Sequence, residues 1–223
     1  MSKNIFIACD TNKTSIAKKI IEHSNTKKLK IGYKFGLEFI NSKNGRSFIS
    51  KNKNKIIFAD LKLHDIPNTC VSAIKAIKDL KVNYLTIHVS SGLDALKAAK
   101  RVCGKIKLVG VTMLTSIDNI SSKQIGYDKK IKKLVVHQAK LANKAKLDAI
   151  VCSAQEAKYV KKVFKKEIIA PGIRYNSNKN DQKRIMTPKE AFKNGCDWLV
   201  IGRPMTKGNI KKNIQTLIDH LNK

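Results

Sequence analysis

The run FADLKLHD at 58–65 brings an aspartate, a lysine and a second aspartate close together in a stretch that alternates apolar and polar residues. Read as a strand, whose successive side chains point to opposite faces, it puts Asp60 and Lys62 on one side and Leu61 and Leu63 on the other. If the leucines face a hydrophobic layer, the charged pair faces a cavity, where an isolated ion is too costly to bury and must be paired or used. Paired, the two make a structural salt bridge at the rim of a core. Used, the pair points to catalysis by charged groups. Asp65 stands beyond the strand, before the turn-forming Ile66-Pro67-Asn68-Thr69, and from there can reach outward to a neighbour.

A different chemistry is written towards the C-terminus, in APGIR at 170–174 and VIGRPMT at 200–206. Glycine lets backbone N–H groups approach an anion closely, arginine adds a bidentate charge-assisted contact, and a helix starting there adds a favourable dipole. The plainer alternative is a turn carrying a solvated arginine. The breaker-rich segment 175–186, YNSNKNDQKRIM, reads as a mobile lid, with Gln182 the polar residue best placed to fold over a phosphate. His64 and His88 could serve acid–base chemistry or a metal, but His64 reads as pointing away from Lys62 or lining the rim. Asp10, Asp60 and Asp65 are three carboxylates that leave a metal site open, although the intervening lysines compete for the same negative charge.

To hold such residues together the chain offers short Ile/Val-rich runs alternating with amphipathic stretches, the pattern of βα units around a parallel sheet. Expected strands cover 4–10, 29–35, 55–63, 84–90, 106–113, 148–154, 167–173 and 197–202. Expected helices cover 14–24, 37–44, 68–80, 92–103, 129–146, 155–164, 187–194 and 209–221. Eight units in this length fit a (β/α)8 TIM barrel, whereas an open doubly wound sheet usually stops at roughly five to seven strands. A barrel builds its site at the carboxyl ends of its strands. Those ends carry Asp10, Lys34, Asp60 with Lys62, His88, Thr115, Ser153, Gly172 with Arg174, and Gly202 with Arg203.

No composition shift or linker divides the 223 residues, so 1–223 is expected to be one catalytic domain. Hydrophobic residues make up 42% and charged residues 28%, which suits a globular chain with a sizeable core. The start, MSKNIFIACD, lacks a signal peptide's longer apolar stretch, and no later run approaches the roughly 20 apolar residues of a membrane span. A cytoplasmic location without membrane association is expected. The five cysteines are scattered, with no C-x-x-C pair, and read as buried reduced thiols. Forty-six Lys+Arg against 16 Asp+Glu leave +30, which favours phosphorylated metabolites and admits non-specific association with nucleic acid. The lysines are nevertheless spread through nearly every segment without interleaved aromatics, as expected for solvated helix faces.

Taken in order, YKFG, ADLKLHDIPNT, VTMLTS, APGIR, DQKRIMTP and LVIGRPMT span most of the chain and resemble the bacterial-type orotidine 5′-monophosphate decarboxylase family. The D-x-K-x-x-D core is shared with the sister 3-keto-L-gulonate 6-phosphate decarboxylases, whereas D-I-P-N-T and the D-Q-K-R lid point to the orotidylate enzymes. The resemblance implies a cofactor-independent homodimer. In it Asp10 and Lys34 hold the ribose hydroxyls, Asp60 is the catalytic carboxylate and Lys62 the proton donor. Asp65, from the partner subunit, completes a Lys34–Asp60–Lys62–Asp65 array, and Thr69 belongs to the same cross-subunit segment. Ser153 addresses the pyrimidine edge, Thr115 lies at a substrate-binding position, and Arg174, Gln182, Gly202 and Arg203 form the lid and phosphate site. Departures from the family pattern are the short chain, the asparagine-rich lid and the basic surface. Two rivals follow: the magnesium-dependent sister decarboxylase, and a basic nucleic-acid-binding protein whose barrel has lost catalysis.

Overall fold

β-branched and aromatic residues fill the runs that become strands, since such side chains suit a pleated, buried surface. The structure, a computed structural model, describes residues 3–175 and 185–222. Its strands are β1 Asn4–Ala8, β2 Lys30–Gly36, β3 Ile56–Leu63, β4 Tyr84–His88, β5 Lys107–Val111, β6 Ala149–Val151, β7 Glu167–Ala170 and β8 Trp198–Ile201. They pair in parallel, in sequence order, and close by β8 on β1 into a barrel. The expected (β/α)8 architecture is therefore the observed one. Most strands stop short of their expected carboxyl ends, because the polar residues there leave the ladder to form the barrel mouth.

Helices differ from expectation in three places. The expected helix at 37–44 is two, Leu37–Ile40 and Gly45–Lys51, divided at a turn where a Cβ on Gly45 would sit 1.8 Å from the Phe39 carbonyl oxygen. An extra helix, Asn119–Gln124, follows β5, its start capped by the Asp118 carboxylate, which accepts from the Ser121 amide at 2.9 Å. A four-residue helix, Arg203–Thr206, follows β8 directly. No helix among the described residues is long and apolar enough to cross a membrane.

Alternation along the strands separates two apolar layers. Outward residues such as Ile5, Ile7, Ile57, Leu85 and Ile87 join the helices in the larger core. Inward residues Phe6, Phe58, Tyr84, Val109, Ala149, Ile169, Trp198 and Val200 fill the barrel. Phe6 is the plug of this inner layer, stacked on Trp198 with ring centroids 4.1 Å apart and touching Phe58 and Tyr84. β2 makes room for it with Gly32, where a Cβ would lie 2.6 Å from the Phe6 ring and 3.0 Å from the Ile56 carbonyl oxygen. The ring is hemmed in and cannot swing aside, so Gly32→Ala should destabilise by about 1–3 kcal/mol, the usual cost of overpacking. A denaturant midpoint shift reads this directly, and an unshifted midpoint would show the barrel interior to be looser than described.

The amino ends of alternate strands are clamped by polar side chains. Asp148 accepts from the Leu108 amide at 2.9 Å and from Lys100 at 2.5 Å, and Asp197 from the Ile168 amide at 2.8 Å and Lys161 at 2.7 Å. Asn83 does the same for the Ile57 amide at 2.7 Å. Each residue ties its strand to its neighbour below the barrel floor, leaving the carboxyl ends free for chemistry.

Candidate active site

Above the aromatic plug the strand ends enclose a cavity of about 530 Å³ with an apolar floor of Ala8, Phe58, Val111, Val151 and Val200. Asp10, Lys34, Asp60 and Lys62 line it from β1 to β3, and Thr115, Arg174, Gly202 and Arg203 line it from the later strands. With Gly172, nine of the residues singled out from the sequence thus converge on one space.

The charged array depends on an irregularity in β3. Ala59 pairs with Leu85 and Leu63 with Ile87, so three residues of β3, Asp60 to Lys62, stand opposite the single residue Thr86 of β4. Lys62 adopts φ 49°, a left-handed conformation that L residues rarely take. The bulge ends with both charged side chains in the cavity, while Leu61 and Leu63 pack on the outer core. The Lys62 ammonium donates to Asp60 Oδ2 at 2.7 Å, and Lys34 Nζ lies 3.4 Å from the same oxygen and 3.2 Å from Asp10 Oδ1. Thr86 Oγ1 donates to the other Asp60 oxygen at 3.2 Å and accepts from the Lys62 amide at 2.7 Å. Thr86 was not anticipated from sequence, since it sits unmarked between Leu85 and Ile87, 26 residues from the carboxylate it holds.

Burial favours the neutral form of Asp60, yet the Lys34 and Lys62 ammoniums and the hydrogen bonds from Lys62 and Thr86 outweigh it and hold its carboxyl below the usual range. For Lys34 burial again opposes charge, and the carboxylates of Asp60 and Asp10 more than restore it, leaving its pKa above the ordinary lysine value. His88 is pushed down, first by burial and then by His64 and Lys62. Its ring stands 5.1 Å from that of His64, which is exposed and 3.3 Å from Ser90 Oγ; neither histidine lines the cavity.

Other expected residues fall elsewhere. Asp65 is exposed, its Oδ1 accepting from the Ile66 amide at 2.7 Å, and Thr69 is exposed in the first turn of helix Pro67–Ile77. Neither reaches the cavity within one chain. Ser153 is buried but does not line the cavity, where Cys152 does; its Oγ accepts from the Gln155 amide at 3.3 Å. Gln182 lies outside the described residues. Asp10, Asp60 and Asp65 do not gather, and among the described residues no group of three or more His, Cys, Asp or Glu could hold a metal ion.

The end of the cavity formed by the later strands is built from backbone as much as from side chains. Gly172 takes φ 76°, which glycine adopts without strain. Arg174 N–H donates to the Met186 carbonyl at 3.1 Å, and Ile173 bridges Met186, so residues 173–174 and 186 are held side by side. At Gly202 a Cβ would make only ordinary 3.6 Å contacts with Ala8 and Asp10. A side chain would find room there, and the glycine leaves open backbone beside Arg203.

Comparison with known proteins places these features in a family. The model of the Orotidine 5'-phosphate decarboxylase / HUMPS family matches residues 3–213. The chain is similar to an orotidine 5'-phosphate decarboxylase of Wolbachia sp. subsp. Brugia malayi, 43% identical over 221 residues and covering 96% of each chain. It is similar also to one of Wolbachia pipientis subsp. Culex pipiens, 44% identical over 212 residues and 92% of each. Among solved structures, an orotidine 5'-phosphate decarboxylase from Lactobacillus acidophilus superposes with a TM-score of 0.82 at 28% identity over 100% of both chains. By sequence, barrel and charged array together, this chain belongs to the orotidine 5'-phosphate decarboxylase / HUMPS family.

Proposed function

We propose that this chain decarboxylates orotidine 5′-monophosphate to uridine 5′-monophosphate and carbon dioxide, with Lys62 stabilising and protonating the carbon left behind. The carrying observation is the Lys62 ammonium, 2.7 Å from Asp60, on the wall of a cavity whose other side holds Arg174 and Arg203. Loss of carbon dioxide from C6 leaves an electron pair with no conjugated sink, so charge is localised. A cation about 4 Å away is worth roughly 4 kcal/mol at an effective dielectric of 20, or about a thousandfold in rate. One Lys62 proton then passes to C6, the pair from the broken C–C bond forming the new C–H bond, and the amine regains a proton from solvent. Asp60, kept ionised by its two lysines, fixes the ammonium at that carbon.

Asp10 and Lys34 are assigned to the ribose hydroxyls, Thr115 to a substrate contact, and Arg174, Gln182, Gly202 and Arg203 to the phosphate; Ser153, matched to the pyrimidine edge, stands just behind the cavity wall. Contacts to this non-reacting group supply binding energy that orders the array. Arg203→Ala should raise KM by roughly 10- to 100-fold with a smaller effect on kcat, as the loss of a charge-assisted hydrogen bond implies. An unchanged KM would reject its phosphate role.

Asp65 and Thr69 are assigned to the partner's site in a homodimer. Both are exposed in the single chain, and Ile66 and Leu37, at 66% and 53% exposure, leave apolar surface after the ends of neighbouring strands β3 and β2. Asp65→Asn and Lys62→Ala should each be inactive alone, yet regain about a quarter of parental activity when mixed, because a hybrid dimer has one complete site. No recovery on mixing would reject the shared site.

The reading as a whole is tested by the loss of orotidylate absorbance with purified protein. EDTA should leave the rate unchanged, because Lys34, Lys62 and Thr86 already occupy the Asp60 oxygens. No absorbance loss would overturn it, and a magnesium-dependent loss would favour the chemistry of the sister decarboxylases.

A further inference from the structure

We infer that Thr86 is a positioning residue for the reaction: its hydroxyl fixes the Asp60 carboxylate and the Lys62 backbone together, and so sets where the Lys62 ammonium stands. The inference rests on the decarboxylase reading above. Thr86 is 0% exposed and is the one β4 residue facing the three-residue excursion of β3. Within that excursion the ladder is interrupted, so the Lys62 amide needs a partner from elsewhere; Thr86 Oγ1 supplies it at 2.7 Å. The same oxygen carries the hydroxyl proton that goes to Asp60 Oδ1 at 3.2 Å. Lys62 and Lys34 both hold Oδ2, so without Thr86 nothing described would fix the other end of the carboxylate plane.

One hydroxyl therefore satisfies both ends of the catalytic dyad. It anchors a residue held at φ 49°, a conformation that persists only where surroundings impose it. It also stops rotation of the carboxylate that aims the ammonium. Valine has the same shape but can do neither, whereas serine keeps the hydroxyl. A residue with only a packing role would respond in the opposite order, since valine fills the space and serine leaves a methyl-sized gap.

The test compares kcat, KM and pH profiles of Thr86→Val, Thr86→Ser and the parent with orotidylate, alongside their melting temperatures. Thr86→Val should lower kcat about a hundredfold, the scale of an ångström's misplacement at a reacting centre, with KM changed by less than about threefold. Its acid limb should move to higher pH, because Asp60 loses a donor that favours its ionised form. The charged groups facing Asp60 remain Lys34 of β2 and Lys62 of β3, with Asp10 of β1 acting through Lys34, and the titratable group beside them is His88 of β4, whose burial favours its neutral form. Thr86→Ser should recover kcat to within about fivefold of the parent. If Thr86→Val fails to fold, Thr86→Ala against Thr86→Ser gives the same comparison. An active parent with undiminished Thr86→Val, or valine outperforming serine, overturns the inference alone. An inactive parent overturns the decarboxylase reading and the inference with it.

Discussion

Replacing Lys62 with alanine should lower kcat by at least about 10⁵-fold, the product of roughly a thousandfold from charge stabilisation and at least a hundredfold from proton donation. Both contributions pass through one nitrogen. Lys34, the other ammonium bound to Asp60, is engaged by Asp10 as well and cannot move to Lys62's place without abandoning that pair. The fold should survive, because Asp60 keeps Lys34 at 3.4 Å and Thr86 at 3.2 Å and is not left as an orphan charge. Single-turnover measurement with a matched melting curve separates lost chemistry from lost structure. Activity within a hundredfold of the parent would remove Lys62 from the proton-donor role.

Asp60→Asn should cost about a thousandfold in kcat and, unlike Lys62→Ala, should also destabilise, by about 3 kcal/mol, the low end for breaking a buried ion pair. The low end applies because the Lys62 side chain is 36% exposed and Lys34 keeps Asp10. Asparagine preserves shape but leaves two ammoniums, one of them only 13% exposed, around a neutral amide. The pH dependence follows from the two shifts. Asp60 is depressed, so its stabilisation is present above the ordinary carboxylate pKa and disappears as pH falls through the lower folded value. Lys34 is raised, so its stabilisation is present below the ordinary lysine pKa and disappears as pH rises through the higher folded value. The gap in Tm between parent and variant should be widest between about pH 5 and 9 and shrink on both sides. A gap that does not vary with pH would mean that charge pairing is not what Asp60 contributes.

The barrel was legible because strand and helix periods differ and because Ile/Val runs recur at regular spacing. The site's charged residues were legible because strand ends in a barrel converge. Strand alternation alone would put Asp60 and Lys62 on one side, but the structure reaches that outcome through a bulge and a positive φ at Lys62, which a period of two does not foresee. Thr86 was hidden for the same reason: its role exists only opposite that bulge. The helix Asn119–Gln124 escaped notice because NISSKQ has no apolar period and is held by its cap. The split at 41–44 depends on Gly45 approaching the Phe39 carbonyl, a tertiary contact with no local signal. The roles proposed for Asp65 and Thr69 need a second subunit, which a single chain does not display, and Ser153 lies one residue past the wall position taken by Cys152.

Exchange at C6 of uridine 5′-monophosphate in D2O, followed by proton NMR, bears most directly on the Lys62 ammonium. A group that protonates this carbon must, by reversibility, also remove its proton, with no carbon dioxide involved. The parent protein should exchange the C6 hydrogen, and Lys62→Ala, with its folding verified, should not. Equal exchange by the two proteins would contradict the assignment of the proton to Lys62.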